Sequence, residues 1–234
     1  MKKGKANALN ELLVEKIHSQ FQEMEKTNEI KSIVLSGQGP FFSFGFDIPE
    51  FLTYSKEEFT RFVKKFCDFY AYLFLFPKPV IAALNGHTIA GSCIIALACD
   101  YRLMVSGKSK ISMNEISFGA SFLAGGVEML KHCVGGKNTE KILYSGEMYS
   151  AEEAMELGLI NQISTEQELL RDAEKVAHRF AMKDMAAFGS IKKLLRDPVN
   201  DIINEKEKDS IRLFIDIWYS EHTQQNLKEI RIKT

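Results

Sequence analysis

The stretch KPVIAALNGHTIAGSCIIALACDYRLMVSGKSKISMNE, residues 78–115, decides the fold because it joins apolar strands to an apolar helix through a glycine turn. Its first apolar run, Val80–Leu84, predicts a buried strand. Residues 93–98 are apolar throughout and predict a buried helix. Two further strand-like runs follow at residues 101–106 and 110–114, and the second is closed by Glu115. The stretch therefore predicts an α/β core.

Gly91 stands where the predicted helix begins, directly after the turn. A backbone N–H at the start of a helix lies at the positive end of the helix dipole and can stabilise an anion. Glu115 supplies a carboxylate at the far end of the same stretch. The stretch thus favours a site that combines an anion-stabilising amide with a general base.

The composition is that of an ordinary globular enzyme. The chain has 234 residues, of which 45% are hydrophobic and 26% charged, which allows one large domain or one domain with a small appendage. A net charge of −1 provides no attraction to nucleic acid or to an anionic membrane, so neither is expected as a partner. No apolar run approaches the roughly 20 residues that a membrane-spanning helix needs.

The cysteines and the N-terminus favour a reducing, cytoplasmic setting. The four cysteines show no CxxC spacing, and the three in apolar surroundings are interpreted as small buried hydrophobic residues. Cys133 follows His132, but their spacing does not call for a metal ion, so no metal site is predicted. The N-terminal lysines are not followed by the apolar segment of a secretory signal.

The first third of the chain reads as a helix, a strand and an aromatic segment. Asn10 caps an amphipathic helix that runs to about Thr27, and residues 33–35 predict a short buried strand. The segment FFSFGFDIPEF, residues 41–51, crowds aromatic side chains around Gly45. Residues 51–76 predict a helix rich in aromatic side chains, interpreted as helical core, with the wall of an apolar ligand site as the alternative.

The last half of the chain is mostly helical. After the loop SFGASFLAGG we expect a helix that ends near Gly135 and Gly136, and another at residues 138–144. Ser150 begins a further helix with a capping box, and residues 159–163 predict the last strand. Helices are then expected at residues 166–182 and 185–196 and in two stretches after Asp201. One α/β core with a helical C-terminal extension fits this order.

Three segments carry a family resemblance. FFSFGFDIPEF, NGHTIAGSCIIALACDYRL and NEISFG resemble, in order and spacing, the signature segments of the crotonase (enoyl-CoA hydratase/isomerase) superfamily, and KANALN and SAEEAMELGLINQI are similar to that family too. The resemblance implies a crotonase-like spiral of β-β-α units, residues 1–183, and a helical C-terminal trimerisation region, residues 184–234. It also implies an acyl-CoA thioester substrate and a homotrimer or a dimer of trimers.

The resemblance assigns candidate site residues. Two backbone N–H groups of the family hold the thioester carbonyl, and by motif position these belong to Phe46 and Gly91. Glu115 matches the family's catalytic acid–base residue. The matching segments further imply substrate-binding positions at Ser43, Phe44, Gly45, Asp47 and Asn114.

The activities of the family differ in the number of catalytic glutamates that they need, and one of these is missing here. Hydratases of the family have a glutamate three residues after the oxyanion glycine, and Ile94 stands at that position here. The single-glutamate pattern resembles the Δ3,Δ2-enoyl-CoA isomerase branch, which needs no cofactor beyond the coenzyme A of its substrate. The alternatives are another acyl-CoA reaction of the family, such as hydration or decarboxylation, and a non-catalytic acyl-CoA-binding relative.

The remaining titratable side chains near these motifs are interpreted as structural. Asp47 is expected to be a loop or cap residue rather than a base, Glu128 to face solvent, and His87 to pack within its turn. Lys5, in the KANALN segment, is the candidate contact for a coenzyme A phosphate. The family has about two strands ahead of this segment, and their loss would expose a sheet edge.

Overall fold

The computed structural model describes residues 1–230, and in that part of the chain seven strands form two parallel sheets. The larger sheet has the order β1 (Ile33–Ser36), β3 (Val80–Leu84), β5 (Tyr101–Val105) and β7 (Gln162–Ser164). The smaller sheet has the order β2 (Phe41–Ser43), β4 (His87–Ile89) and β6 (Ile111–Ser112).

Consecutive strands alternate between the two sheets. β1, β3 and β5 enter the larger sheet, and the strand that follows each of them enters the smaller sheet before the chain turns into helix. Each strand–strand–helix unit therefore adds one strand to the larger sheet and one to the smaller sheet. A spiral of β-β-α units is built in this way. The α/β class is confirmed.

The helices lie around these sheets. Their bounds are α1 (Glu11–Lys26), α2 (Ile48–Phe51), α3 (Lys56–Leu75), α4 (Gly91–Ala98), α5 (Ala124–Ser145), α6 (Ala151–Leu157), α7 (Leu169–Ala181), α8 (Met185–Trp218) and α9 (Glu221–Glu229). Asn10 caps α1 by accepting from the Leu13 N–H at 3.0 Å, and Ser150 forms its capping box on α6. Gly135 breaks α5 with φ 75° and ψ 165°, so this helix contains the two that were predicted.

Three expectations from the sequence were wrong. β6 ends at Ser112, and Glu115 begins a one-turn 3₁₀ helix, Glu115–Phe118, instead of closing a strand. α8 continues through Pro198, where a break had been expected; this proline is exposed, so water can bond the carbonyl that loses its amide partner. Glu128 is buried and pairs with Lys206 at 2.8 Å rather than facing solvent.

The aromatic face of α3 forms the centre of the core. Its aromatic side chains on that face are fully buried: Phe59, Phe62, Phe66, Phe69, Tyr70 and Phe74. The interpretation of this stripe as helical core is confirmed. Large rings at four-residue and three-residue spacing bury more apolar area than any other side chains, so this helix fixes the position of the elements packed on it.

α8 is fastened to the core by a buried ion cluster. Lys192 and Arg196 of α8 reach Asp100, just beyond α4, at 2.8 and 3.1 Å. The Arg196 guanidinium also donates to the Ala98 carbonyl at 2.9 Å and to the Phe74 carbonyl at 2.6 Å. A cation at the carboxyl end of α4 complements the helix dipole. Through this cluster the C-terminal helices are held against the helix that Gly91 begins.

α8 starts at Met185, next to the boundary expected at residue 184. Across residues 1–230, none of the helices combines the length and the apolar character that crossing a bilayer requires.

Candidate active site

The three principal candidate residues follow the three strands of the smaller sheet. Phe46 comes after β2, Gly91 after β4 and Glu115 after β6. Because these strands are parallel and adjacent, their carboxyl ends lie at one edge, and the segments that leave them converge there. Residues far apart in the sequence are thus brought to one place by the sheet.

The backbone at Phe46 is fixed by the KANALN segment. Leu9 donates its N–H to the Gly45 carbonyl at 2.7 Å and accepts from the Asp47 N–H at 2.9 Å. In this parallel bridge Leu9 bonds the carbonyl before Phe46 and the N–H after it. The N–H of Phe46 itself therefore points to the side away from Leu9. Within residues 1–230 the Phe46 N–H has no protein acceptor, so it is available to a ligand.

Gly91 provides a second available N–H at the start of α4. It belongs to the first turn, whose amides have no partner inside the helix, and none in residues 1–230 bonds it from elsewhere. The preceding Ala90 has φ 51°, a strained conformation for a residue with a side chain, and such strain concentrates at functional sites. The strain is held by the surrounding structure and directs the first amide of α4.

Gly45 allows the two donor segments to approach each other. A side chain there would place its Cβ 2.7 Å from the Ile89 carbonyl oxygen and 3.4 Å from the Gly91 nitrogen, and the residue has φ 87°. Both the contact and the backbone conformation require glycine.

Ser92 links the two donor segments by hydrogen bonds. Its buried hydroxyl accepts from the Ile89 N–H at 2.8 Å and can donate its one proton to the Ser43 carbonyl at 2.7 Å or to the Ile89 carbonyl at 2.8 Å. The Phe46 segment and the start of α4 are therefore held in one relative position. Two amides fixed in this way can receive the negative charge of an oxyanion without reorganising.

Glu115 is a buried carboxyl group with an unusual acidity. Only 7% of the residue is exposed, and Oε2 has no hydrogen-bond partner in residues 1–230. Loss of solvation raises the pKa of this carboxyl from its ordinary 4.5 to about 8. A carboxyl group with a pKa near the working pH can both take and return a proton, as a general acid–base requires.

These groups border one largely apolar cavity with a volume of about 920 Å³, part of it open to solvent. Its lining includes Phe46, Gly91, Asn114 and Glu115. The rest of the wall is mainly apolar: Phe44, Ile48, Ile89, Ala90, Ile94, Phe118, Phe122, Leu123, Phe214, Trp218 and Ile230. Glu115 is the only carboxyl side chain among the lining residues that the structure describes. The cavity therefore combines two amide donors, one base and an apolar chamber.

The other predicted substrate-binding residues divide into two groups. Phe44 and Asn114 line the cavity, and the Asn114 Oδ1 is buried without a partner in residues 1–230. Ser43, Gly45 and Asp47 are outside the cavity lining of the described chain. Ser43 is fully buried and accepts from the Gly45 N–H at 3.1 Å, while Asp47 caps α2. Their positions indicate support of the donor segment rather than direct substrate contact.

Neighbouring side chains considered in the sequence lie elsewhere. Asp47 also pairs with Lys3 at 2.6 Å, and Lys5 is exposed. The His87 Nδ1 accepts from the Lys110 N–H at 3.2 Å, and this histidine is outside the cavity lining as far as residue 230.

Several positions that line or support the cavity were not identified from the sequence. Leu9 acts through its backbone, so its side chain gives no signal, and Phe214 and Trp218 reach the cavity from a helix far along the chain. Ser92 had a detectable signal, since a serine directly after a glycine at a helix start has backbone partners within reach.

Known proteins resemble this chain in sequence over most of its length. The family model described as enoyl-CoA hydratase/isomerase matches residues 1–230. A probable enoyl-CoA hydratase of Bacillus subtilis (strain 168) is 31% identical over 192 residues, which cover 81% of this chain and 74% of the relative. A short-chain-enoyl-CoA hydratase of Clostridium acetobutylicum is 30% identical over 174 residues, covering 74% of this chain and 66% of the relative.

The fold is also shared with solved structures. The human mitochondrial delta3-delta2-enoyl-CoA isomerase superimposes with a TM-score of 0.91 over 97% of this chain and 89% of that chain, at 21% identity. At that identity the likeness concerns the fold. With the match of the family model over residues 1–230, these findings show that the chain belongs to the enoyl-CoA hydratase/isomerase family.

Proposed function

We propose that the protein is a Δ3,Δ2-enoyl-CoA isomerase, which moves the double bond of a 3-enoyl-CoA thioester to the 2-position. The observation that carries the proposal is the single buried carboxyl group of the cavity, Glu115, accompanied by Ile94 where a hydratase of the family would need a second carboxylate. The family membership supports an acyl-CoA thioester as the substrate class.

The proposed reaction begins with removal of a proton from C2. This carbon lies between the thioester carbonyl and the C3–C4 double bond, so its proton is the most acidic of the acyl chain. The Glu115 carboxylate takes the proton, and the electron pair of the C–H bond delocalises over the carbonyl oxygen, C2 and C4 as a dienolate. The Phe46 and Gly91 N–H groups bind the oxyanion, and each such donor typically contributes about 3 kcal/mol of transition-state stabilisation.

The same carboxyl group then completes the reaction. Neutral Glu115 returns the proton to C4, a new double bond forms between C2 and C3, and the negative charge leaves the oxygen. One proton moves and no electrons are gained or lost, so the proposed reaction uses neither a metal nor a redox cofactor. The apolar wall excludes water that would otherwise protonate the dienolate.

Hydration is the second candidate because the names of several relatives point to it. Two-glutamate hydration needs a second group that holds and activates the water. Ile94 lines the cavity and offers only an alkyl chain that packs close to Gly126. An isoleucine neither accepts a hydrogen bond nor transfers a proton, and this observation favours isomerisation.

We also propose that the protein assembles as a homotrimer or a dimer of trimers. Ile191, Leu194 and Leu195 of α8 are 59%, 75% and 61% exposed. Their spacing places them on one face of the helix, as in an apolar face that a second copy covers.

The test is an assay with 3-hexenoyl-CoA and crotonyl-CoA. We expect the protein to convert 3-hexenoyl-CoA to the conjugated 2-enoyl thioester, whose ultraviolet absorbance measures the rate. The Glu115→Gln variant should lose at least about a hundredfold in kcat. Glu128→Gln, which changes a buried carboxylate outside the cavity, is the matched control and should retain activity. Full activity of Glu115→Gln, or faster hydration of crotonyl-CoA than isomerisation, would overturn the proposal.

A further inference from the structure

Within residues 1–230, no other side chain forms a hydrogen bond with the Glu115 carboxyl group. Its Oε2 is buried without a partner, and the neighbouring Asn114 Oδ1 is in the same condition, among residues 1–230. A base that must reach both C2 and C4 of a substrate needs a defined position. That position therefore has to come from the backbone turn to which the carboxyl group is attached.

The turn closes on the Glu115 backbone. The Ala120 N–H donates to the Glu115 carbonyl at 3.0 Å, and the Gly119 N–H donates to the Ile116 carbonyl at 3.1 Å. Gly119 has a left-handed conformation and ends the 3₁₀ helix. Any movement of the Gly119 peptide is consequently transmitted to the residue that carries the base.

α9 holds this turn from outside. The Thr223 hydroxyl donates to the Gly119 carbonyl at 2.7 Å, and the Asn226 Nδ2 donates to the Phe118 carbonyl at 3.3 Å. These two residues are three apart and so lie on the same face of the helix. The amides of the turn do not bond the Phe118 and Gly119 carbonyls. These carbonyls accept hydrogen bonds from α9 instead.

Thr223 is itself fixed. It is 1% exposed, its N–H donates to the Ser220 Oγ at 3.3 Å, and the Ser220 hydroxyl lies 3.0 Å from its Oγ1. Ser220 caps α9, so the hydroxyl that reaches Gly119 is held by the first turn of that helix. A buried side chain with its rotamer fixed in this way can determine the position of its partner.

We infer that Thr223 is a positioning residue for the reaction, which holds the turn bearing Glu115 in place through its hydrogen bond to Gly119, with Asn226 in a supporting role. The inference rests on the proposed function, since it gives Glu115 the role of base. Thr223 is outside the cavity lining in the described chain and acts through the turn rather than on substrate.

The test compares Thr223→Val with Thr223→Ser. Valine keeps the shape and removes the hydroxyl, whereas serine keeps the hydroxyl and removes a methyl group. We expect kcat for 3-hexenoyl-CoA to fall about tenfold or more in Thr223→Val, with KM within about twofold of the wild type, and Thr223→Ser to restore kcat. Asn226→Ala should lower kcat in the same direction by a smaller factor, and it provides the measurement if Thr223→Val does not fold.

The outcomes separate this inference from the proposed function. Wild-type kcat in a folded Thr223→Val protein, or equal losses in the valine and serine variants, would overturn the positioning role while leaving the isomerase intact. If the wild type does not isomerise but exchanges the C2 protons of hexanoyl-CoA in D₂O, the proposed function fails and the variants are compared on exchange rates. A wild type that does neither would overturn both.

Discussion

Glu115 is a carboxyl group kept in an apolar wall, and its burial sets the pH range in which it can act as a base. Removal of solvent disfavours the charged form, which accounts for a pKa of about 8 in the unliganded protein. The same desolvation makes the ionised form a stronger base than a carboxylate in water. The residue is thus suited to abstracting a weakly acidic C–H proton and then donating it again.

This acidity gives an expected pH profile. Because the carboxylate is the active form, kcat/KM for 3-hexenoyl-CoA should rise about tenfold per pH unit well below pH 8 and become constant above it. Lowering the pH protonates Glu115 in the free protein and removes the base. Initial rates at low substrate concentration between pH 6 and pH 9 provide the measurement. A profile that is constant over this range would contradict a buried base with a raised pKa.

At the scale of single elements, the short strands explain what the sequence could and could not predict. β3 is an apolar run of five residues, and β5 is a five-residue run that is interrupted only by Arg102; both were predicted, as were α1 and α6 from their capping residues. β2 and β4 have three residues each, too few for an alternating pattern to be recognised, and β2 was read only as an aromatic segment.

Candidate site residues could be predicted where they lie within local sequence motifs. Phe46, Gly91 and Glu115 were named from local segments, and the structure brings those segments to one edge of the smaller sheet. Thr223 could not be found in this way, because its bond to Gly119 joins residues 104 positions apart. Hydrogen bonds between distant segments depend on tertiary packing, which local periodicity does not encode.

The Ser92 link between the two donor segments leads to an expectation at this scale. Ser92→Ala leaves the Ile89 N–H and the Ser43 carbonyl without this partner and loosens the spacing between the Phe46 and Gly91 amides. We expect kcat to fall about tenfold or more and the free energy of unfolding to fall by about 1–3 kcal/mol.

A control variant separates these two effects. Ser164→Ala removes another buried hydroxyl, in strand β7 of the larger sheet and away from the cavity. This hydroxyl is hydrogen-bonded to the Asp172 carboxylate at 3.1 Å. The variant should lower stability and leave kcat unchanged. If Ser92→Ala had the same kcat as Ser164→Ala, the link would be structural only. Chemical denaturation and initial-rate kinetics on the same preparations provide both quantities.

At the scale of the whole molecule, the C-terminal helices connect the core to the site. α8 is held by the buried ion cluster at Asp100 and carries Phe214 and Trp218 to the cavity, and α9 holds the Glu115 turn. The region expected to mediate assembly therefore also completes the chamber. Changes in assembly and changes in catalysis should be correlated for this reason.

The proposed trimer can be tested on the exposed face of α8. Leu194→Lys introduces a charge into the proposed contact, and we expect the molar mass measured by light scattering to fall from three or six protomers to one. Leu12→Lys, at a residue of α1 that is 72% exposed, is the control and should leave the mass unchanged. A wild-type protein that is monomeric at micromolar concentration would contradict the proposed assembly.

The two proposed oxyanion donors are main-chain groups, and this has an evolutionary consequence. Replacing the Phe46 side chain leaves its amide in place, and the Leu9 pairing that orients this amide is equally independent of side-chain identity. The proposed capacity to stabilise an enolate is therefore robust to point mutation, while the fate of that enolate would depend on the few side chains around it. In the proposed mechanism, Ile94 and Glu115 are the positions at which drift or selection would exchange one reaction for another without rebuilding the scaffold.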